Sequence, residues 1–215
     1  MRSLVIGFGA RGERHLRVLA SIGHETAVVS LRRPNHPHHY GDVGQALGDF
    51  RPDYVVVSNE TAGHRPALFA LRRSVFEGPI LVEKPLFESA RPGDPSDLSR
   101  VYVGYNLRFD PLLQQLRSWV QHRRLVASAI YVGRHLWAGR GARDPQSMNS
   151  ATRASGGGVL RDLSHELDYA QLLFGAWRRV AAIGGMSGAL GADVDDRWSI
   201  LLECAYCPQV SIGMS

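Results

Sequence analysis

Short apolar runs alternate with amphipathic stretches through the first half of the chain. The runs fall at Ser3–Ile6, Ala27–Leu31, Tyr54–Val57, Ile80–Val82 and Val101–Val103. Runs without polar alternation predict strands covered on both faces, as in a parallel sheet. Between them, spacing near 3.6 predicts helices over Gly12–Ile22, Val43–Gly48 and His64–Ser74. Strand and helix in alternation predict an α/β, doubly wound arrangement. Pro, Asp and Ser crowd Glu88–Ser99, which reads as a loop.

The pattern changes between Gly104 and Pro111. A helix is predicted over Pro111–His122, with Leu112, Leu113, Leu116, Trp119 and Val120 on one face. A strand follows at Val126–Val132, then a Gly-, Arg- and Ser-rich loop over Arg134–Ser155. A single helix over Val159–Phe174 precedes strands at Arg179–Gly184, Trp198–Glu203 and Gln209–Gly213. The expected division is one domain over residues 1–105 and a second over residues 106–215, the second an α+β unit with an open sheet.

Composition narrows the function classes. At 44% hydrophobic and 21% charged, the chain is not a disordered, collagenous or disulfide-framework sequence. Its apolar runs are far shorter than a membrane helix needs, so no membrane partner is expected. The N-terminal stretch is too Gly-broken for a secretory leader. Two cysteines near the end imply no disulfide framework, and a reducing, cytoplasmic setting is the expectation. A net charge of +5 would suit nucleic acid, yet no basic helix or like-charge block accompanies it, so nucleic acid is not an expected partner. More informative is that, of 25 Lys and Arg, only Lys84 is lysine. Arg keeps its proton in proteins whereas Lys can lose one, so a lone surviving lysine marks a place where guanidinium cannot substitute.

Gly7, Gly9 and Gly12 stand in G-x-G-x-x-G spacing between the first strand and the first helix. In that context the first glycine permits a tight turn, the second lets a pyrophosphate approach the backbone, and the third lets helix and strand pack closely. The helix N-terminus then faces the anion. An NAD site would place an acid at the end of the second strand. Here that strand ends Ser30-Leu31-Arg32-Arg33, a hydroxyl and two guanidinium groups suited to a phosphate. The expected cofactor is NADP, with NAD as the alternative. Asn59 is a weaker cofactor candidate at the end of the third run.

Lys84 ends the fourth run in Glu83-Lys84-Pro85, on the crevice side of an open sheet. Tyr105-Asn106-Leu107-Arg108-Phe109 follows the fifth. In the predicted helix after Gly156-Gly-Gly, Leu160, Leu163, Leu167, Ala170 and Phe174 share one face, and Asp162, His165, Glu166 and Tyr169 the other. Such a face is either solvated or an acid–base array. Cys204-Ala-Tyr-Cys207 reads as a turn with two buried thiols, and His36, His38 and His39 as a loop rather than a metal site; no metal is expected.

Taken in order, G-F-G-A-R-G with His15 behind it, E-K-P, Y-N-L-R-F and G-G-G…D-L-S-H-E-L-D resemble the Gfo/Idh/MocA family of NAD(P)-dependent oxidoreductases. The resemblance implies a Rossmann domain followed by an α/β domain with an open, mostly antiparallel sheet. It implies hydride transfer between the nicotinamide and a carbinol or carbonyl of a sugar, nucleotide sugar or polyol. It assigns catalysis to Lys84, His165 and Asp162, with Lys84 on the reacting oxygen and His165 carrying the proton. Ala10, Arg11, Glu83 and Lys84 itself join the cofactor set, and Tyr105, Asn106, Arg108, Glu166 and Tyr169 the substrate set. Asp162 and His165 are three apart where many members have four, so the proton carrier is His165 or Glu166. The family is longer than this chain. The expectation is a piece of a longer protein or a shortened form, with a nucleotide-binding protein without turnover as the alternative function. The last strand is expected to present an open apolar edge through which the chain forms a homo-oligomer.

Overall fold

The five apolar runs all form strands: β1 (Arg2–Ile6), β2 (Glu25–Val29), β4 (Tyr54–Val57), β5 (Ile80–Val82) and β6 (Val101–Val103). A sixth, β3 (His39–Tyr40), was not predicted; two residues carry no period, and β3 is defined by its parallel pairing with Val28 and Val29. The structure, a computed structural model, describes residues 1–32, 34–94, 98–121, 123–133, 151–188 and 191–215. The expectations placed on Arg33, on His122 and on residues 134–150 lie outside the described residues. The chain divides into two units, Met1–Gly104 and Tyr105–Ser215.

In the first unit the sheet is parallel throughout, in the order β3-β2-β1-β4-β5-β6. Reversal of winding beside β1 makes a topological switch point, where open α/β sheets bind ligands at the carboxyl ends of their strands. Strand side chains alternate between two cores. Leu4, Ile6, Val29, Val55, Val57, Ile80 and Val82 pack with α2 (Val43–Phe50) and α3 (Thr61–Arg73). Val5, Val28 and Val56 pack with Leu16 and Leu19 of α1 (Ala10–Ser21). Helices on both faces explain why these strands read as unbroken apolar runs. Each fully buried Leu or Val contributes about 1.5–3 kcal/mol.

The ladder runs one residue past each strand. Gly7 N–H donates to Val29 O at 2.9 Å, Ser58 N–H to Ile6 O, Glu83 N–H to Val57 O and Gly104 N–H to Val82 O, each at 2.8 Å. The first residue of each crest loop is therefore set by the sheet.

In the second unit a four-stranded sheet runs β7 (Ser128–Val132), β10 (Val210–Met214), β9 (Arg197–Cys204), β8 (Trp177–Gly185). Only the β7–β10 pair is parallel. One face of the sheet carries Ile200, Leu202, Val210, Ile212 and Met214 against Ala170, Leu173 and Phe174 of a helix. The last strand is not an edge. Val210–Met214 is paired on both sides, and β7 and β8 are the outer strands. The expected open edge at the chain's last strand is thus corrected: a parallel return beside β7 puts β10 inside the sheet.

The predicted long helix is two, α5 (Val159–Asp162) and α6 (His165–Phe174), interrupted at Leu163–Ser164. Its apolar face is as expected, since Leu160, Leu163, Leu167, Ala170 and Phe174 all join the core. In α4 (Pro111–Val120), Leu113 and Val120 pack on that core, whereas Leu112 and Trp119 are exposed. Cys204 and Cys207 are free buried thiols, with Cys204 N–H donating to Cys207 O at 3.0 Å. Burial, then the neighbouring Cys207, pushes the Cys204 thiol up.

Candidate functional site

The crest between β1 and α1 has the form a dinucleotide phosphate requires. Gly7 has φ +105°, and a Cβ there would lie 2.5 Å from Asn59 N. At Gly12 a Cβ would meet Gly7 O, so only glycine lets α1 sit this close to the strand. Gly9 is different: among the described residues nothing beyond its chain neighbours lies within 4 Å of where its Cβ would be. Gly9 is also the N-cap of α1, without a side-chain cap. The uncapped start of a 12-residue helix thus opens onto free space, the cradle that a pyrophosphate fills. Ala10 and Arg11 begin that helix. These residues fit the cofactor.

At the end of β2, Ser30 Oγ accepts from Arg32 N–H at 3.0 Å. Arg32 Nη1 donates to Phe8 O at 3.3 Å, which lays its guanidinium across the glycine turn. His39 Nε2 lies 2.9 Å from Ser30 O. His36 sits 3.2 Å from both Thr26 Oγ1 and His38 O, and burial lowers its pKa. Among the described residues no group of three or more His, Cys, Asp or Glu could hold a metal.

The Glu83–Pro85 crest is tied down from two sides. Glu83 Oε1 accepts from His15 Nε2 at 2.8 Å, and Arg11 Nη1 lies 3.5 Å from Oε2. Burial opposes the charge on Glu83, yet the His15 hydrogen bond and Arg11 outweigh it and hold its pKa below the usual carboxylate value. On the other side, His64 Nδ1 is 2.9 Å from Pro85 O and Nε2 is 3.2 Å from Asn59 O. Lys84 is only 6% exposed. Asn59 Oδ1 is buried and accepts no hydrogen bond among the described residues, an open acceptor on the same crest. His15 and His64 are the residues that sequence reasoning undervalued. His15 lies one helical turn beyond Arg11, a spacing that could have flagged it; the contact of His64 with Pro85 has no local signature.

In the second unit Tyr105 precedes a single 3₁₀ turn over Asn106–Phe109. Arg108 grips Asp168 with two parallel bonds, Nε to Oδ2 at 2.8 Å and Nη2 to Oδ1 at 2.6 Å. The Arg108 fork is therefore taken by a carboxylate of this chain, and it fixes the first turn of α6 against the Tyr105 segment. His165 opens that turn and meets the Tyr105 ring edge-on, centroids 5.7 Å apart. Glu166 is buried rather than on a solvated face. Burial, then the Glu166 charge, pushes the Tyr169 hydroxyl up to about 12. Asp162 ends α5.

Asp195, unremarked in the sequence, organises the triple glycine. Its Oδ2 accepts from Leu160 N–H at 2.9 Å and Trp198 Nε1 at 2.8 Å, and its carbonyl from Val159 N–H at 2.9 Å. Gly158, at φ +120°, has that carboxylate where a Cβ would be.

No protein-family model and no curated protein matches the sequence. Solved structures do match in fold. GenD2 from gentamicin A biosynthesis, solved with NAD, is 23% identical with a TM-score of 0.79 over 99% of this chain and 65% of its own. WlbA dehydrogenase from Bordetella pertussis, solved with NADH and UDP-GlcNAcA, is 16% identical with a TM-score of 0.78 over 100% and 66%. Levoglucosan dehydrogenase, solved with NADH and L-sorbose, is 18% identical with a TM-score of 0.77 over 99% and 66%. The chain spans about two thirds of the length of these proteins. The fold implied by the Gfo/Idh/MocA resemblance is the fold observed, a six-stranded parallel dinucleotide-type sheet followed by a mixed sheet, shared with these oxidoreductases.

Proposed function

We propose that the chain is an oxidoreductase that moves a hydride between NADP(H) and the carbinol or carbonyl carbon of a sugar, nucleotide sugar or polyol. The observation that supports this most is the open, uncapped N-terminus of α1 at Gly9, on the crest that also carries the lone, buried lysine. The sugar- and nucleotide-sugar-bound neighbours in fold support the substrate class. NADP is preferred because Ser30 and Arg32 occupy the β2 crest where an NAD site has an acid.

The nicotinamide, when bound, supplies the hydride acceptor or donor. In the oxidative direction the substrate loses a hydride from carbon and a proton from oxygen. Lys84 hydrogen-bonds that oxygen. His165 takes the proton, held by the Tyr105 ring and by the Arg108–Asp168 grip on its own helical turn, with Asp162 assisting. Asn106, Glu166 and Tyr169 line the substrate, and Arg11, Asn59 and Glu83 the cofactor. We further infer self-association through the second sheet, whose β8 exposes Val180 and Ile183.

The test is production of NADPH from NADP⁺ with a panel of sugars, UDP-sugars and polyols. Wild-type protein turns over and Lys84→Arg does not, while NADPH binding survives in the variant. An Arg variant as active as wild type removes Lys84 from the mechanism.

A further inference from the structure

We infer that His64 is a positioning residue for Lys84: its buried imidazole joins the crest loop after β4 to the crest loop after β5 and holds the lysine in place. The inference rests on the reading that Lys84 is the working amine, and its geometry lies wholly within the first unit.

His64 is 1% exposed, in the first half of α3. Its two ring nitrogens face main-chain carbonyls from two different loops, Pro85 O at 2.9 Å and Asn59 O at 3.2 Å. Both belong to residues beside or within the proposed site: Pro85 follows Lys84, and Asn59 packs against the Gly7 turn. A carbonyl only accepts, so each contact needs an N–H. Burial lowers the His64 pKa, so the neutral ring with a single N–H is the working form. The shorter contact places that proton on Nδ1, donating to Pro85 O. The Glu83 carboxylate, beside Lys84, is meanwhile held by His15 and Arg11 of α1. Lys84 therefore sits between two anchored neighbours. The Glu83 anchor comes from the helix facing the cofactor phosphates; the Pro85 anchor comes from α3. With Lys84 itself only 6% exposed, its amine is expected to be shielded as long as both anchors hold.

The lysine's uniqueness makes this measurable without a substrate. Lys84 and the N-terminal amine are the chain's only primary amines, so trace acetylation followed by mass spectrometry reads Lys84 directly, with the N-terminus as internal standard. In His64→Leu the Nδ1 donor is lost, and Lys84 acetylates about tenfold faster than in wild type. In His64→Asn, whose amide nitrogen replaces Nδ1, the rate stays within about twofold of wild type. In His64→Gln, whose amide nitrogen replaces Nε2, Lys84 is as reactive as in the Leu variant. Should the Leu variant fail to fold, Asn against Gln still decides, because both retain a buried amide and differ only in which carbonyl they reach. Equal labelling in Asn and Gln, or wild-type protection in a folded Leu variant, overturns the inference. An NADPH titration of the same samples separates the two readings. Loss of Lys84 protection with no NADPH binding in any protein upholds the clasp and rejects the oxidoreductase reading. NADPH binding with Lys84 labelling unchanged across the variants does the reverse.

Discussion

Replacing Gly9 and Gly12 separately by alanine distinguishes a nucleotide cradle from a glycine-rich turn. At Gly9 the backbone is extended, with φ −100° and ψ −174°, which alanine adopts without strain, and among the described residues no atom beyond its chain neighbours lies within 4 Å of the new Cβ. Two small terms then offset each other. Alanine lowers unfolded-chain entropy, worth about 0.4–1 kcal/mol, and is a poorer N-cap than glycine by about 0.5–1 kcal/mol. Gly9→Ala should unfold in urea within about 0.5 kcal/mol of wild type. Its methyl nevertheless occupies the space in front of the first N–H groups of α1. Displacing a phosphate from a charge-assisted hydrogen bond costs about 1.5–3 kcal/mol, or about 10- to 150-fold in Kd. Gly12→Ala does the opposite. Its Cβ meets Gly7 O, a backbone atom that cannot rotate away. Overpacking of that kind costs about 1–3 kcal/mol, so this variant loses stability first. Urea unfolding and fluorescence titration with NADPH, both on the three proteins, form the assay. Wild-type NADPH affinity in Gly9→Ala would refute the cradle.

Two further outcomes are expected. His64 is held neutral by burial below its ordinary value of 6.5, so the unfolded chain binds more protons than the folded one just below that pH. The first unit should therefore lose stability as pH falls through about 6.5, with Glu83, held below its ordinary 4.5, adding a second loss beneath that value; thermal melts against pH check this, and an unchanged upper limb in His64→Asn would contradict it. Light scattering at rising concentration should show a dimer or larger species, and Ile183→Lys on exposed β8 should shift it toward monomer; a monomer at high concentration would contradict the inferred association.

Legibility in the sequence followed locality. Tyr54–Val57 and Ile80–Val82 match their predicted bounds because burial on two faces leaves an unbroken apolar signature, and Val101–Val103 matches its bounds although Tyr102 is exposed. The glycine turn was equally readable, since its constraint lies within six residues of chain. What escaped notice was non-local. Glu83 meets His15 across 68 positions and Arg108 meets Asp168 across 60. Hydrophobic period also runs unbroken through Leu163, so it could not show that the helix stops there and that Glu166 turns inward. Helix α3 begins at Thr61 rather than His64, because Gly63 and Pro66 dilute the apolar pattern of its first turns.

The proposed hydride transfer requires that the β1–α1 crest bind NADP(H). Parallel fluorescence titrations with NADPH and NADH test it most directly, on wild-type protein and on Arg32→Ala/Arg33→Ala. Wild type should bind NADPH more tightly than NADH, and the double variant should lose about 10-fold or more for NADPH, the equivalent of one charged hydrogen bond, with NADH unchanged. Equal affinities would contradict the NADP preference, and binding of neither would contradict a dinucleotide site at this crest.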